Sequence, residues 1–330
     1  MVGRSNVHDD PKSPDTLRAR VLHEAPRTAR IVLRATLTLS AGAFIGTILS
    51  GVLGGVVWAQ GFEGGARLIG LADAQRALGT GNDAIYSNPA GMALGRAYTL
   101  ELGYLDDLRG SDRRFNASIV DSQAGPISGG IAYTHLSARP AEQTAGDERL
   151  GGHRFDIAMA APLSDSAAIG TTIRYLSYGR SLGDEKLEGG FSGLTFDTGL
   201  QWRLGRGLAL GLAAYNLTKS KRRELPLSWG AGLGFELEDF SIESDVRYNT
   251  QIGKARFSGG AGYAIGGLLP VRAGVSYDRA DGAILVSGGL GFIYERVSAD
   301  VAYRQRVNKG SSAEDADERI LSVAIRAHFL

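Results

Sequence analysis

The 330-residue chain contains no cysteine, which excludes disulfide bonds, thiolate metal sites, a cysteine nucleophile and the acylated cysteine of a lipoprotein anchor. Proline is scarce, with 9 residues, whereas there are 47 glycines and 43% of all residues are hydrophobic. This composition is unusual for a helical enzyme and indicates many turns and closely apposed strands. The formal net charge of +1 has no excess of either sign, so we expect no nucleic-acid partner.

Motifs that carry enzyme chemistry are also absent from the sequence. There is no His-Glu zinc motif, no phosphate-binding loop ending in Gly-Lys-Ser or Gly-Lys-Thr, and no Gly-x-Ser-x-Gly elbow. Gly230, Gly232 and Gly234 superficially resemble a dinucleotide loop, but they alternate within a predicted strand and line one of its faces. His328 shares a strand face with Ser322 at the wrong offset for a dyad. We therefore expect no catalytic residue, no metal site and no cofactor in a protein that is not an enzyme.

The N-terminal region, residues 1–59, has the features of a leader and an export signal. Arginines precede an uncharged run of about 25 residues from Ala35 to Ala59, which is long enough to span a bilayer as a helix. Glycines weaken that helix near its C-terminal end, and Val57 and Ala59 occupy the positions before Gln60 that signal peptidase reads. We favour a signal peptide cleaved near Ala59 over an uncleaved anchor.

From Ala97 onward, apolar and polar residues alternate with a period of two, as in strands with one apolar and one polar face. Near the C-terminus, Val323 and Ile325 share one face, whereas Arg326 lies on the other. Turn residues separate about fourteen segments, most of them about 9 to 14 residues long, which suits tilted membrane strands. The segments are 97–105, 113–121, 126–136, 152–163, 167–178, 191–204, 208–217, 226–237, 240–249, 254–265, 270–278, 283–294, 296–306 and 319–330.

The connections between these segments alternate in length. The tight ones lie at residues 124–125, 205–207, 239 and 295. The longer and more charged ones lie at residues 108–110, 138–151, 179–190, 219–224 and 308–318. Short periplasmic turns and longer outer loops alternate in this way in outer-membrane barrels, and an even strand number leaves both chain ends in the periplasm.

A soluble β-sandwich would also give its strands one apolar and one polar face, so the alternation alone leaves the fold open. Strand number, strand length and loop alternation favour an all-β fold that is a transmembrane antiparallel β-barrel of about 14 strands. Aromatic residues on the apolar faces are typical of the girdles at membrane interfaces. They are Tyr104, Tyr133, Tyr175, Trp202, Trp229, Tyr248, Tyr263, Tyr277, Tyr294, Tyr303 and Phe329.

A barrel of this width needs a filled lumen, because side chains alone fill barrels of only about eight strands. Residues 60–96 are too weakly periodic to join the wall, yet they contain apolar residues such as Leu68, Ile69 and Ile85. We predict that residues 60–96 form a hatch inside a barrel of residues 97–330.

Within the predicted hatch, Asn88-Pro89-Ala90-Gly91 has the sequence of a type I turn. Asparagine at the first position bonds the backbone two residues on, proline presets the second φ, and glycine suits the fourth position. Pro89 also disfavours helical backbone at Asn88, so no helix is expected to run through this point.

This turn and the residues before it, Asp83-Ala84 and Tyr86, closely resemble the N-terminal segment of the FadL-type outer-membrane transporter family and of the related PorV/PorQ barrels. The resemblance implies a bacterial outer-membrane protein for passive uptake of small hydrophobic compounds. The implied partners are membrane lipid, a hydrophobic small-molecule ligand and the barrel-assembly machinery. The residues implied to shape the hatch are Asp83, Tyr86, Asn88, Pro89, Ala90 and Gly91.

The longest connections, 138–151 and 308–318, are short and polar, unlike the long apolar loops that capture ligand in FadL-type proteins. This departure argues against long-chain fatty acid as the substrate. It also keeps a second hypothesis open, in which the chain is a PorV/PorQ-like barrel and acts as a partner in protein secretion or envelope assembly. A soluble sandwich held by an uncleaved anchor is a third hypothesis.

Charged residues of both signs occur on the polar faces of the predicted strands. In a barrel these faces point into the lumen, where the charges pair with one another or with the hatch. The predicted lumen-facing residues are Arg114, Arg154, Arg174, Asp197, Asp245, Arg247, Arg272, Asp300, Arg304 and Arg326.

Overall fold

The computed structural model describes residues 64–108, 112–138, 148–182, 185–218, 225–308 and 318–329. The predicted leader and signal peptide, residues 1–59, and the first residues of the predicted hatch lie outside the described residues. So do most residues of the connections predicted at 138–151, 219–224 and 308–318.

The described residues form fourteen antiparallel strands that close into a barrel, in which each strand pairs with its sequence neighbours and the first pairs with the last. This confirms the predicted fold and strand number. The strands are β1 (Tyr98–Asp107), β2 (Arg113–Asp121), β3 (Ser128–Ala138), β4 (Glu148–Pro162), β5 (Ala167–Leu182), β6 (Glu185–Gly205), β7 (Leu208–Tyr215), β8 (Ser228–Leu237), β9 (Phe240–Asn249), β10 (Lys254–Ile265), β11 (Leu269–Asp278), β12 (Ile284–Tyr294), β13 (Val297–Arg306) and β14 (Arg319–Phe329).

The closing pair is continuous from Tyr98 opposite Phe329 to Asp107 opposite Ile320. Because the side-chain period of a strand is two, a slip of one residue would turn every polar side chain of β14 towards the outside. The alternation that predicted the strands therefore also determines how the first and last strands pair.

The two faces of the barrel are the reverse of those of a soluble β-sandwich. Large apolar side chains are exposed on the outside, including Ile325, which is 61% exposed, and Leu290, which is 57% exposed. Charged side chains are buried on the inside, including Arg304, which is fully buried, and Asp197, which is 1% exposed. Such an exterior suits contact with lipid. This arrangement argues against the soluble sandwich.

One predicted connection is wrong. Residues 179–190 were expected to form a long outer loop because this stretch has glycines at both ends. Instead β5 continues to Leu182 and β6 begins at Glu185. A register shift between Tyr178 and Arg180 absorbs the irregularity, and the pairing then resumes. A bulge of this kind lets a strand continue past a residue that would otherwise break the ladder.

Residues 64–94 lie inside the barrel, and we call them the inner segment. It contains helix α1 (Ala66–Gly70), a 3-10 helix (Gly81–Asp83), helix α2 (Ala84–Ser87) and helix α3 (Gly91–Leu94). α1 contacts β11 to β14, whereas α2 and α3 contact strands from β3 to β5. The inner segment therefore reaches across the lumen between opposite parts of the wall. Among the described residues, no helix is both long enough and apolar enough to cross a bilayer.

Candidate functional site

The turn predicted at Asn88 is present and separates α2 from α3. The amide of Gly91 donates to the carbonyl of Asn88 at 3.0 Å, and the amide of Ala90 donates to Asn88 Oδ1 at 3.3 Å. Asn88 has φ −158° and ψ 102°, which is extended backbone, as expected of a residue before proline. Two short helices therefore meet at this point instead of one longer helix.

The side chain of Asn88 also fastens the inner segment to the wall. Its amide nitrogen donates to the carbonyl of Arg76 at 2.8 Å and to the carbonyl of Leu200 on β6 at 3.0 Å. Asn88 is fully buried. The sequence predicted its role in the turn but not these bonds, because both acceptors are distant backbone groups.

Glycines on the inner face of the wall make room for the inner segment. A Cβ at Gly199 of β6 would overlap Asn88 Oδ1, and a Cβ at Gly211 of β7 would overlap the carbonyl of Arg76. A Cβ at Gly170 of β5 would lie 2.5 Å from the amide nitrogen of Ala90. The backbones therefore approach each other at distances that only glycine allows. Gly230, Gly232 and Gly234 of β8 belong to the same surface, against Arg76, Ala77 and Leu78.

The inner segment also has a glycine at a position of close packing. A Cβ at Gly91 would overlap the carbonyl of Gly79 and approach Gln201 Oε1 at 2.6 Å. Gly91 was predicted for its place in a turn, but close packing is the stronger requirement. Glycines recurring on the polar parity of successive strands were the sequence signal for this surface.

A buried ion-pair cluster joins the inner segment to β1 and β14. Arg67 Nε of α1 donates to Asp83 Oδ2 at 2.7 Å, and Arg67 Nη2 pairs with the same oxygen. Arg326 of β14 pairs with Glu101 of β1 and lies 3.7 Å from Asp83 Oδ2. The side chains of Asp83 and Glu101 are each 1% exposed. Arg67 had not been predicted, since its position in α1 carries no strand pattern.

Two carboxylates of β9 hold the extended part of the inner segment. Asp245 Oδ2 accepts the amide of Gln75 at 3.0 Å and, from Arg76, the amide at 3.1 Å and Nη1 at 2.8 Å. Glu243 accepts the amides of Ala77 and Leu78, the latter at 3.1 Å. These bonds satisfy amides of residues 75–78, which have no strand or helix partner.

Tyr86 and its neighbours form the apolar contact between the inner segment and the wall. Ile85, Tyr86 and Met92 pack with Ala84 and small residues of β2, β3 and β4 in one buried cluster. The guanidinium of Arg154 lies 5.3 Å from the centre of the Tyr86 ring. The motif therefore presents its polar side to β6 and an apolar side to β2 through β4.

The remaining charges of the lumen form pairs along the wall. Arg154 Nε and Arg174 Nε donate to opposite oxygens of Asp156 at 2.7 and 2.8 Å. Arg174 Nη2 lies 2.8 Å from Asp197 Oδ2, so the chain of charges spans β4, β5 and β6. The side chains of these residues are 8% exposed or less. Charges buried to this extent are tolerated because they are paired.

On the opposite side, charges of the wall pair with each other and with the inner segment. Arg272 Nη1 lies 2.6 Å from Asp300 Oδ1, and Arg304 Nη1 lies 2.8 Å from Asp73 Oδ2. Arg247 stacks on the ring of Tyr215 at 4.5 Å.

All the predicted lumen-facing residues point inwards, and among them Arg114 pairs with Asp112 at 3.6 Å. Their functional role remains a prediction. The arrangement places in the lumen a segment that is held to the wall by polar contacts. Within the described ranges, no group of three or more His, Cys, Asp or Glu side chains is placed to hold a metal ion.

A closed fourteen-strand barrel with an apolar exterior and an N-terminal segment in its lumen defines the class of plugged outer-membrane barrels. No family model matches the sequence, and no curated protein is similar to it in sequence.

Solved structures of this class do match the fold. The CymD monoaromatic hydrocarbon channel has a TM-score of 0.63 at 15% identity, over 80% of this chain and 97% of that one. The Pseudomonas putida toluene transporter TodX has a TM-score of 0.61 at 14% identity, over 82% and 98%. A Pseudomonas aeruginosa FadL homologue has a TM-score of 0.57 at 12% identity, over 81% and 98%. At these identities the likeness is one of fold, and it agrees with the predicted resemblance to FadL-type barrels.

Proposed function

We propose that this protein is an outer-membrane channel for passive uptake of small hydrophobic compounds. The observation that carries the proposal is the inner segment, which is held to the inner face of the barrel by polar contacts and by close approaches to wall glycines. The apolar exterior of the barrel supports an outer-membrane location, to which a signal peptide cleaved near Ala59 would direct the chain. The proposal includes no catalytic step.

An apolar cluster on the inner wall supports a hydrophobic ligand. Near the ends of the strands opposite the chain termini, Leu176 of β5 and Phe191 of β6 pack with Leu225 and Tyr178 in an apolar cluster. A compound entering from outside would meet this cluster before it reached the charged part of the lumen. The matched channels and transporters are described as acting on monoaromatic hydrocarbons and toluene, and we propose the same class of compound for this chain.

Passage requires the inner segment to move. The described strands of the wall are paired around the full circle, and the inner segment reaches from β14 to β5 across the lumen. Displacing it breaks the contacts of Asp83, Asn88 and Asp245 described above and opens a path between the apolar cluster and the periplasm. We propose that transport is passive and follows the concentration gradient.

Uptake into vesicles tests the proposal. In vesicles whose outer leaflet contains lipopolysaccharide, which slows the entry of apolar compounds, the purified barrel is expected to speed equilibration of toluene with a trapped solvent-sensitive dye. Deletion of residues 60–94 is expected to raise ion conductance in planar bilayers. A barrel that leaves toluene entry at the rate of empty vesicles would contradict the proposal. No observation on the described residues favours the PorV/PorQ-like role, for which recovery of a stoichiometric partner in mild detergent is the test.

A further inference from the structure

Two histidines stand directly opposite each other on the outer surface of the barrel. His135 of β3 and His153 of β4 are register partners, and both side chains are exposed. Their ring centroids are 5.0 Å apart, with an angle of 38° between the rings. Neither residue contacts the inner segment or the lumen, because both lie on the outward parity of their strands.

This separation matches that of two imidazoles bound to one metal ion. Rings that share a tetrahedral zinc ion at Zn–N distances of about 2.0 to 2.1 Å have centroids about 5 Å apart. Opposite residues of an antiparallel pair have Cβ atoms about 4.5 to 5.5 Å apart, and their separation is fixed by the ladder. The backbone therefore holds the two rings at a separation that chelation of one ion allows.

Tyr133 supplies a second observation. Its hydroxyl lies 2.8 Å from Nδ1 of His153. When the phenolic oxygen accepts a hydrogen bond from Nδ1–H, the lone pair of His153 is on Nε2, the nitrogen left free for a ligand. A partner on the second ring nitrogen is the usual support of a metal-binding histidine, since it sets the tautomer and the ring orientation.

The level of the pair on the barrel leaves it open to water. The adjacent level towards the chain termini carries Tyr133, Phe155 and Tyr175 on neighbouring strands, a row typical of the membrane interface. The level on the other side carries Asp106 and Arg113, which form an exposed ion pair at 3.6 Å. The level of the histidines itself carries Phe115 on β2 and Tyr104 on β1, so the pair lies at the edge of an apolar belt, next to a charged level.

We propose that His135 and His153 form a surface site for a divalent transition-metal ion such as Zn²⁺ or Cu²⁺. Each histidine contributes one ring nitrogen, and water fills the remaining coordination positions. Imidazole is a preferred ligand of both ions. The site is outside the lumen, so it is independent of the proposed uptake function and of the inner segment.

Binding of Zn²⁺ to the folded, tag-free barrel in detergent solution without phosphate tests the proposal. We expect one saturable ion per chain by titration, and a Cu²⁺ paramagnetic resonance spectrum with nitrogen hyperfine structure. His135→Gln and His153→Gln are each expected to abolish the saturable site. His328→Gln is the matched control and leaves it intact, because His328 lies at the other end of the barrel beside Ser298.

Two further variants test the geometry rather than the presence of histidine. Tyr133→Phe removes the hydroxyl beside His153 and is expected to weaken binding by about tenfold. The double variant His135→Ser/Ser137→His keeps the histidine count but moves one ring to a diagonal position about 7 to 8 Å away, and we expect a similar or larger loss. Heat-modifiable migration on a gel verifies that every variant is folded. The proposal is wrong if wild type has no saturable site, or if either histidine variant or the shifted variant binds as wild type does.

Discussion

Neutralising Asp83 is the sharpest test of how the inner segment is held. In the native cluster, the charges of Arg67 and Arg326 are balanced by those of Asp83 and Glu101. Asp83→Asn keeps the shape of the side chain but leaves one positive charge in excess. Removing one partner of a buried pair costs about 3 to 5 kcal/mol, and the lower value applies here because Arg326 keeps Glu101 and the side chain of Arg67 is 25% exposed.

A loss of about 3 kcal/mol raises the ratio of displaced to seated inner segment by roughly 150-fold. Amide hydrogen exchange measures that ratio directly when displacement exposes the amides. The amides of Asn88 and Gly91, which donate to Ala84 and Asn88, are therefore expected to lose protection by about this factor in Asp83→Asn. The strands of the wall are expected to keep theirs.

Asp106→Asn is the matched control, because Asp106 lies on the outer face of β1 and pairs with the exposed Arg113 at 3.6 Å. Such a pair contributes about 0 to 1 kcal/mol, so protection of the inner segment is expected to stay near that of wild type. Combining Asp83→Asn with Arg67→Met restores the charge balance and should recover part of the protection. Equal protection in Asp83→Asn and wild type would refute the role of the cluster.

Three other changes probe the contact between the inner segment and the wall, and the outer face of the barrel. Gly199→Ala places a Cβ on Asn88 Oδ1 and is expected to increase ion conductance in planar bilayers, whereas Gly129→Ala, with nothing within 4 Å of its Cβ, leaves conductance unchanged. Asn88→Ala removes two bonds to buried carbonyls, and a loss of about 2 to 3 kcal/mol should appear as faster exchange of the inner segment. Ile325→Arg puts a charge on the outward face and is expected to destabilise the folded barrel by about 2 to 4 kcal/mol in lipid vesicles. The control Ile325→Val is expected to leave the denaturation midpoint of the barrel nearly unchanged.

The predicted and observed strands agree because strand formation in a barrel depends on the alternation of apolar and polar residues that are adjacent in sequence. Val323, Ile325 and Arg326 are within four positions of one another, and their order alone assigns each to a face. The prediction was wrong at residues 179–190, where Gly179 and the glycines 189 and 190 indicated a loop. Pairing of β5 with β6 past a bulge outweighed those local signals, and the pairing partner is not visible in either segment alone.

The candidate site was predicted only in part, because some of its contacts join residues that are far apart in sequence. The turn at Asn88 depends on neighbours in sequence and was predicted with its hydrogen bonds. The carbonyl of Leu200 that Asn88 reaches is 112 positions away, and Arg326 is 225 positions from Glu101. Partners so distant become neighbours only after the barrel closes, so no local pattern identifies them.

By itself, the sequence determined the strands, their inner and outer faces and the turn in the inner segment, since each depends on the order of adjacent residues. The tertiary structure alone decided which charges pair across the lumen, which glycines accept the inner segment, and that two histidines face each other on the outside. Those features depend on strand register and barrel closure, which bring together residues that are far apart along the chain.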